Sequence, residues 1–188
     1  MKQNDVNYVE TVGRVKSVFF PKEKRCLIRL QVGYNTPEFF CVDDNAEYVT
    51  NNIQSGDFVK IISNIQSSYK KKLHKNVTTL FVNRIIKLSD SYCFERLKNE
   101  FFVRGEVKSV KYLERSNILR VLLKVKTEHL STVPLSFYNP SPELLNLKAG
   151  DIIQKSGMIQ TMRKVIDGKP VYYQNFVVKE PIRKRKIA

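Results

Sequence analysis

The chain of 188 residues has no tryptophan and only two histidines, His74 and His129, far apart in sequence. Its three cysteines, Cys26, Cys41 and Cys93, are widely spaced and form no C-x-x-C pair. A zinc site needs closely spaced Cys and His ligands, so no metal is expected and the cysteines read as reduced core residues. Gly-rich phosphate loops, G-x-S-x-G and H-E-x-x-H are all missing, which argues against the commonest catalytic machinery. Neither enzymatic activity nor a cofactor is expected. No apolar run approaches the roughly 18 residues of a membrane-spanning helix. The opening Met1-Lys2-Gln3-Asn4-Asp5 lacks the apolar stretch of a secretory signal, so a cytoplasmic location is expected.

Acid is also scarce. Eighteen Asp and Glu face 33 Lys and Arg, a formal net charge of +15. A small chain charged this way repels itself until a polyanion neutralises it, which points to nucleic acid first and an anionic membrane second. Residues 1–94 hold 14 basic and 9 acidic residues, whereas 95–188 hold 19 and 9. The cationic excess is therefore twice as large in the second half. At 42% hydrophobic and 27% charged, the chain can still bury a core.

What is present is a repeat. Val12-Gly13-Arg14-Val15-Lys16-Ser17-Val18 returns as Arg104-Gly105-Glu106-Val107-Lys108-Ser109-Val110, 92 positions later. Ser55-Gly56-Asp57-Phe58 returns as Ala149-Gly150-Asp151-Ile152, and each is followed by Ile-Gln, at Ile65-Gln66 and Ile159-Gln160. A third match sets Asn83-Arg84-Ile85-Ile86 against Asn175-Phe176-Val177-Val178. Landmarks in one order at a nearly constant offset predict two copies of one unit, spanning 1–92 and 98–180, with a basic tail over 181–188.

Each copy reads as β-rich. In the first, strands are expected at Val9–Phe19, Arg25–Val32, Pro37–Val42, Phe58–Ser67 and Thr78–Leu88, with a short helix over Asn45–Ile53 capped by Asn45. In the second they are expected at Phe101–Tyr112, Ile118–Lys126, Val133–Tyr138, Ile152–Met162 and Val171–Val178, with a helix at Pro142–Leu147. Three strands, a short helix and two strands is the order of an OB-fold, a five-stranded Greek-key barrel that binds oligonucleotides or oligosaccharides. The fold class expected is thus all-β with short helices, as two tandem OB-fold barrels. Ser89–Asn99 joins them without Gly or Pro and reads as a short connecting helix.

These residues resemble the single-stranded DNA-binding proteins of the OB-fold class, bacterial and mobile-element forms in particular. The likeness rests on Gly13-Arg14-Val15 and Gly105-Glu106-Val107, on the turns Gly56-Asp57 and Gly150-Asp151, and on the long hairpins ending near Asn83 and Asn175. It implies a non-enzymatic protein that coats single-stranded DNA in replication, recombination or transfer. Self-association or replication-protein partners would follow, with tandem duplication replacing part of the family's oligomerisation. The chain departs from the family in lacking Trp for base stacking and in ending on a basic Arg183-Lys184-Arg185-Lys186 instead of an acidic tip.

A single-strand site needs cations for phosphates and rings for bases. In the second strand, Arg25, Arg29 and Gln31 face away from Ile28, Leu30 and Val32. In the second copy Arg120, Lys124 and Lys126 do the same. The hairpin tip carries Tyr69, Lys70, Lys71, Lys72 and Lys75, and Arg163 and Lys164 occupy the equivalent region of the second copy. Adjacent rings on a strand point to opposite faces, so one ring of each pair, Phe39-Phe40, Phe137-Tyr138 and Tyr172-Tyr173, must leave the core without the sequence saying which; Phe39, Tyr138 and Tyr173 stand among the candidate binding residues. Tyr34 and Tyr112, near turns, complete the expected set. An RNA-binding module would use the same groups, and a protein-binding adaptor in a replication complex is a further alternative. A nuclease would need clustered carboxylates, and Asp43-Asp44 reads more simply as a helix start.

Overall fold

The computed structural model describes residues 4–70, 75–89, 96–166 and 169–179. In chain order these form β1 (Val6–Lys22), β2 (Arg25–Gln31), β3 (Glu38–Val42), α1 (Asp43–Asn52), β4 (Phe58–Lys70) and β5 (Lys75–Lys87). Then come β6 (Lys98–Leu113), β7 (Ile118–Lys126), β8 (Leu130–Tyr138), α2 (Pro142–Leu145), β9 (Ile152–Ile166) and β10 (Lys169–Val178). The all-β class expected from the alternation holds. Among the described residues, no helix is long and apolar enough to cross a membrane.

Strands β1 to β5 pair around a ring in the order β1-β2-β3-β5-β4, with β4 returning to β1. Every pairing is antiparallel except β3 with β5. Strands β6 to β10 do the same in the order β6-β7-β8-β10-β9, and here β8 and β10 are the parallel neighbours. Ring closure leaves few unpaired strand edges, which limits edge-to-edge aggregation. Inside, period-two alternation buries Cys26, Ile28 and Leu30 on β2 and Leu119, Val121, Leu123 and Val125 on β7. Helix α1 adds Ala46 and Val49 to this core, and Ile53 follows at its end.

Local devices recur from one set to the other. Both long first strands bulge after the same landmark, between Val15 and Ser17 and between Val107 and Ser109. Gly56 and Gly150 hold φ of +97° and +96°, values that L side chains rarely adopt, and each N–H donates to a strand carbonyl, Val15 O and Val107 O. The following Asp57 and Asp151 accept from Gln54 N–H and Lys148 N–H, both at 2.8 Å. Gly13 and Gly105 are needed for close approach: a Cβ would sit 2.8 Å from Gln31 O and 2.5 Å from Lys124 O. Asn7 and Asn99 each clamp one residue of a neighbouring strand through both of its backbone groups, Ile65 and Ile159 respectively.

The two sets share one sheet. Strand β1 lies antiparallel to β6, with Val9 opposite Phe101. These two residues stand at matching positions, each two places after its clamping Asn, so the ladder relates the sets by an approximate two-fold through that pair. Glu10 crosses the junction, reaching Lys60 on β4 at 2.7 Å and Lys98 on β6 at 2.9 Å. The lysines, Lys60 first, outweigh the cost of burial and hold the Glu10 carboxyl down at about 2. The β2–β3 segment also reaches the other set. Thr161 N–H donates to Asn35 Oδ1, Thr36 N–H donates to Thr161 Oγ1, and Glu38 and Gln174 exchange two bonds at 3.1 Å.

Several sequence expectations need correction. Asn45 caps nothing: the helix begins after Val42 without a side-chain cap, and the Asn45 amide donates to Val82 O and Asn83 O. Asp43 and Asp44 stand in the first helical turn, where carboxylates suit the helix dipole. The third sequence match is out of register. Phe40 lies opposite Phe81 and Ser136 opposite Val177, so Asn175 corresponds in place to Thr79 and not to Asn83. The hairpins differ in length, and the short Asn-initiated motif aligned by chance. Cys26 and Cys41 are buried free thiols facing each other across β2 and β3, while Cys93 and most of the connecting segment lie outside the described residues.

Candidate nucleic-acid interface

The outer faces of β2 and β7 carry the cations that alternation assigned to them. Arg25, Arg120, Lys124 and Lys126 are exposed, and Gln31 is half-buried. Arg29 is the exception in kind, because its Nε donates at 2.7 Å to the Glu38 carboxylate directly across on β3. That pair neutralises itself, so Arg29 meets a phosphate only in competition with Glu38. Among the described residues, no carboxylate lies within ion-pair distance of Arg120, Lys124 or Lys126.

Tyr34 is the most exposed ring among the described residues, at 105% of its reference area. It sits in a two-residue turn closed by Val32 and Asn35, which exchange both backbone bonds. Asn35 and Thr36 tie this turn to Thr161 on the second set. The anchored turn fixes the Tyr34 backbone, so stacking at this place would order the side chain alone. Tyr112 and Tyr138 are also exposed, at 39% and 41%. The Tyr112 hydroxyl donates to Asn117 Oδ1 and the Tyr138 hydroxyl accepts from the Asn175 amide; Tyr138 lies on the outer face, whereas Tyr112, opposite buried Leu119, points to the side away from Lys111 and Arg120.

Phe39 is a correction. It is fully buried, and its neighbour Phe40 takes the outward place, edge-on to Phe81 at 5.2 Å. Phe39 follows Glu38, which faces out to meet Arg29, so strand alternation turns Phe39 inward. The same rule places Phe137 in the core and Tyr138 outside, as expected. Tyr173 is half-buried and Arg163 exposed at the far hairpin. Lys164, Tyr69, Lys70 and Lys75 lie on β9, β4 and β5, where the backbone pairs Tyr69 with Asn76 and Lys70 with Lys75. Lys71 and Lys72 fall outside the described residues.

The sequence reading missed Phe19 and Phe20. Both stand on the surface at the end of β1, 62% and 49% exposed, beside Lys22, Lys24 and Arg25 of the β1–β2 hairpin. The signal was available, since adjacent rings followed by Pro21 and three cations mark a strand leaving the core. Lys111, the counterpart of Phe19 on β6, was missed too. Among the described residues, no cluster of His, Cys, Asp or Glu could hold a metal ion.

No family model matches the chain, and no curated protein matches it. Solved structures do. The wild-type single-stranded DNA binding protein from Thermus aquaticus superposes with a TM-score of 0.66 at 12% identity, over 99% of this chain and 98% of that one. A deletion variant of the same protein gives a TM-score of 0.65, also at 12% identity, over 95% and 96%. The likeness spans both ring sets and is one of fold.

Proposed function

We propose that the chain is a non-enzymatic protein that binds single-stranded DNA without strong sequence preference. The observation that carries this reading is the surface of the two sets, which bears exposed aromatic rings and, among the described residues, cations on β2 and β7 other than Arg29 that no carboxylate pairs with. Tyr34, Phe19, Tyr112 and Tyr138 supply π-faces, and Arg25, Arg120, Lys124 and Lys126 supply charge. Stacking on such rings tolerates any base, and phosphate contacts read no sequence. The fold likeness to a protein titled as a single-stranded DNA binding protein supports the same conclusion. In this reading the chain is a tandem duplication of one OB-fold unit, 1–92 and 98–180, followed by a basic tail over 181–188 that adds nonspecific attraction. It acts in the cytoplasm, coating strands exposed during replication, recombination or transfer.

The test is a fluorescence titration of equal-length single-stranded DNA, RNA and duplex DNA at two salt concentrations. Single-stranded DNA is expected to bind at about micromolar Kd or tighter, and affinity should fall steeply with salt as counterions are released. Equal or tighter binding to duplex DNA would overturn the proposal.

A further inference from the structure

The two outer faces are built in opposite order. Strand register places Phe19, Leu27, Phe40 and Phe81 side by side across β1, β2, β3 and β5. The matching row of the second set is Lys111, Arg120, Ser136 and Val177 across β6, β7, β8 and β10. Where the first face has rings and a leucine, the second has two cations, a hydroxyl and a valine. One row further toward the hairpin the roles reverse. There the first set has Lys22 opposite Arg25, and the second has Leu113 opposite Ile118, with Ile118 opposite Tyr138.

Two features of these central rows bear on what they could meet. Phe19 is 62% exposed at the end of an apolar row, although a charged residue serves at the same place in the second set. Lys111 and Arg120 are directly opposed like charges, a cross-strand pairing that costs stability unless an anion lies between them. Neither has an ion-pair partner among the described residues.

Resting on the single-strand reading above, we propose that the two faces grip one DNA strand in opposite manner. The central row of the first face, led by Phe19, takes bases, with phosphates passing toward Lys22 and Arg25 at its margin. The central row of the second face, Lys111 and Arg120, takes phosphate, with bases turned toward Tyr138 at its margin. Phe19 is then a base-stacking residue, and Lys111 and Arg120 form a phosphate seat.

The experiment uses the full chain as wild type, Phe19→Ala, and the double variant Lys111→Gln with Arg120→Gln. Each is titrated against an oligothymidylate and an abasic strand of the same length, which keeps the phosphates and lacks the bases. All three positions are exposed, and circular dichroism melts establish that the variants fold. Phe19→Ala should weaken oligothymidylate binding roughly 5- to 100-fold with the salt slope unchanged, and should bind the abasic strand like wild type. The double variant should lower the slope of log K against log salt by about 1.4, at roughly 0.7 per phosphate contact, on both strands. If the Phe19→Ala penalty persists on the abasic strand, or the double variant keeps the wild-type slope, the division between the faces is wrong while single-strand binding stands. If wild type binds neither strand, the functional reading fails and this inference fails with it.

Discussion

Glu10 offers a measurable test of how the two ring sets are held together. Its carboxylate is 14% exposed and lies between Lys60 of one set and Lys98 of the other, with the Tyr8 hydroxyl donating to it at 3.0 Å. The Lys60 contact, joined by Lys98 and Tyr8, draws the carboxyl from 4.5 to about 2 against the opposing effect of burial. A pKa depressed on folding stabilises the native state above the unfolded value and loses that stabilisation as pH falls toward the folded value. The full displacement corresponds to about 3 kcal/mol. Both lysine side chains are a third or more exposed, at 34% and 38%, so solvent screening reduces this to about 1–2 kcal/mol. Glu10→Gln should therefore be about 1–2 kcal/mol less stable than wild type at pH 7. The difference should shrink through the window from about 4.5 down to about 2, because wild-type Glu10 is protonated there too. Urea unfolding followed by circular dichroism at several pH values measures it, and subtracting the variant cancels the other carboxylates. A difference that stays constant from pH 7 to the acid limit, or a variant as stable as wild type at neutral pH, would refute the electrostatic account of this junction.

Gly105→Ala forces a Cβ to 2.5 Å from Lys124 O, so it should destabilise by about 1–3 kcal/mol in thermal or urea unfolding, as overpacking does. Asn99→Ala leaves both backbone groups of Ile159 without their side-chain partners, and a loss of about 1–3 kcal/mol is expected by the same measurement. Replacing Lys70, Lys71, Lys72 and Lys75 together with Gln should leave stability near wild type and shallow the salt slope of DNA binding by up to about 3. An unchanged slope would make that hairpin a solvated surface only. Tyr34→Ala should cost about 1–3 kcal/mol of binding with the slope preserved, read by the same titration.

The strands were legible in the sequence because their burial follows a period of two. Ile28 and Leu30 flank Arg29, Leu119 and Val121 flank Arg120, and each of the four aliphatic residues is buried. The turns were legible because Gly56-Asp57 and Gly150-Asp151 combine a left-handed glycine with a carboxylate that accepts from the preceding turn. The junction was not. Pairing of β1 with β6 depends on backbone register between strands some 90 positions apart, and Glu10 looks like any exposed acid until Lys60 and Lys98 are folded around it. The clamps of Asn7 and Asn99 were hidden for the same reason, since each satisfies a strand distant in sequence.

The outward rings show where pattern reading stops. Alternation states that Phe39 and Phe40 face opposite ways, but the choice between them is made by neighbours on other strands. Ile28 lies opposite Phe39 in the core, and Phe81 receives Phe40 on the outside. Once β2 is oriented by its aliphatic residues, β3 has no freedom left, because a slip of one residue would bury Glu38 and break its pairing with Arg29. That same constraint makes the outer rows informative. A side chain kept on the exterior by its strand contributes little to the core, so an aromatic ring or an unpaired cation there is open to a role outside the fold. Phe19 against Lys111, two residues at one place on two similar faces, is such a case: both are exposed, and the division of the strand proposed above accounts for the difference between them.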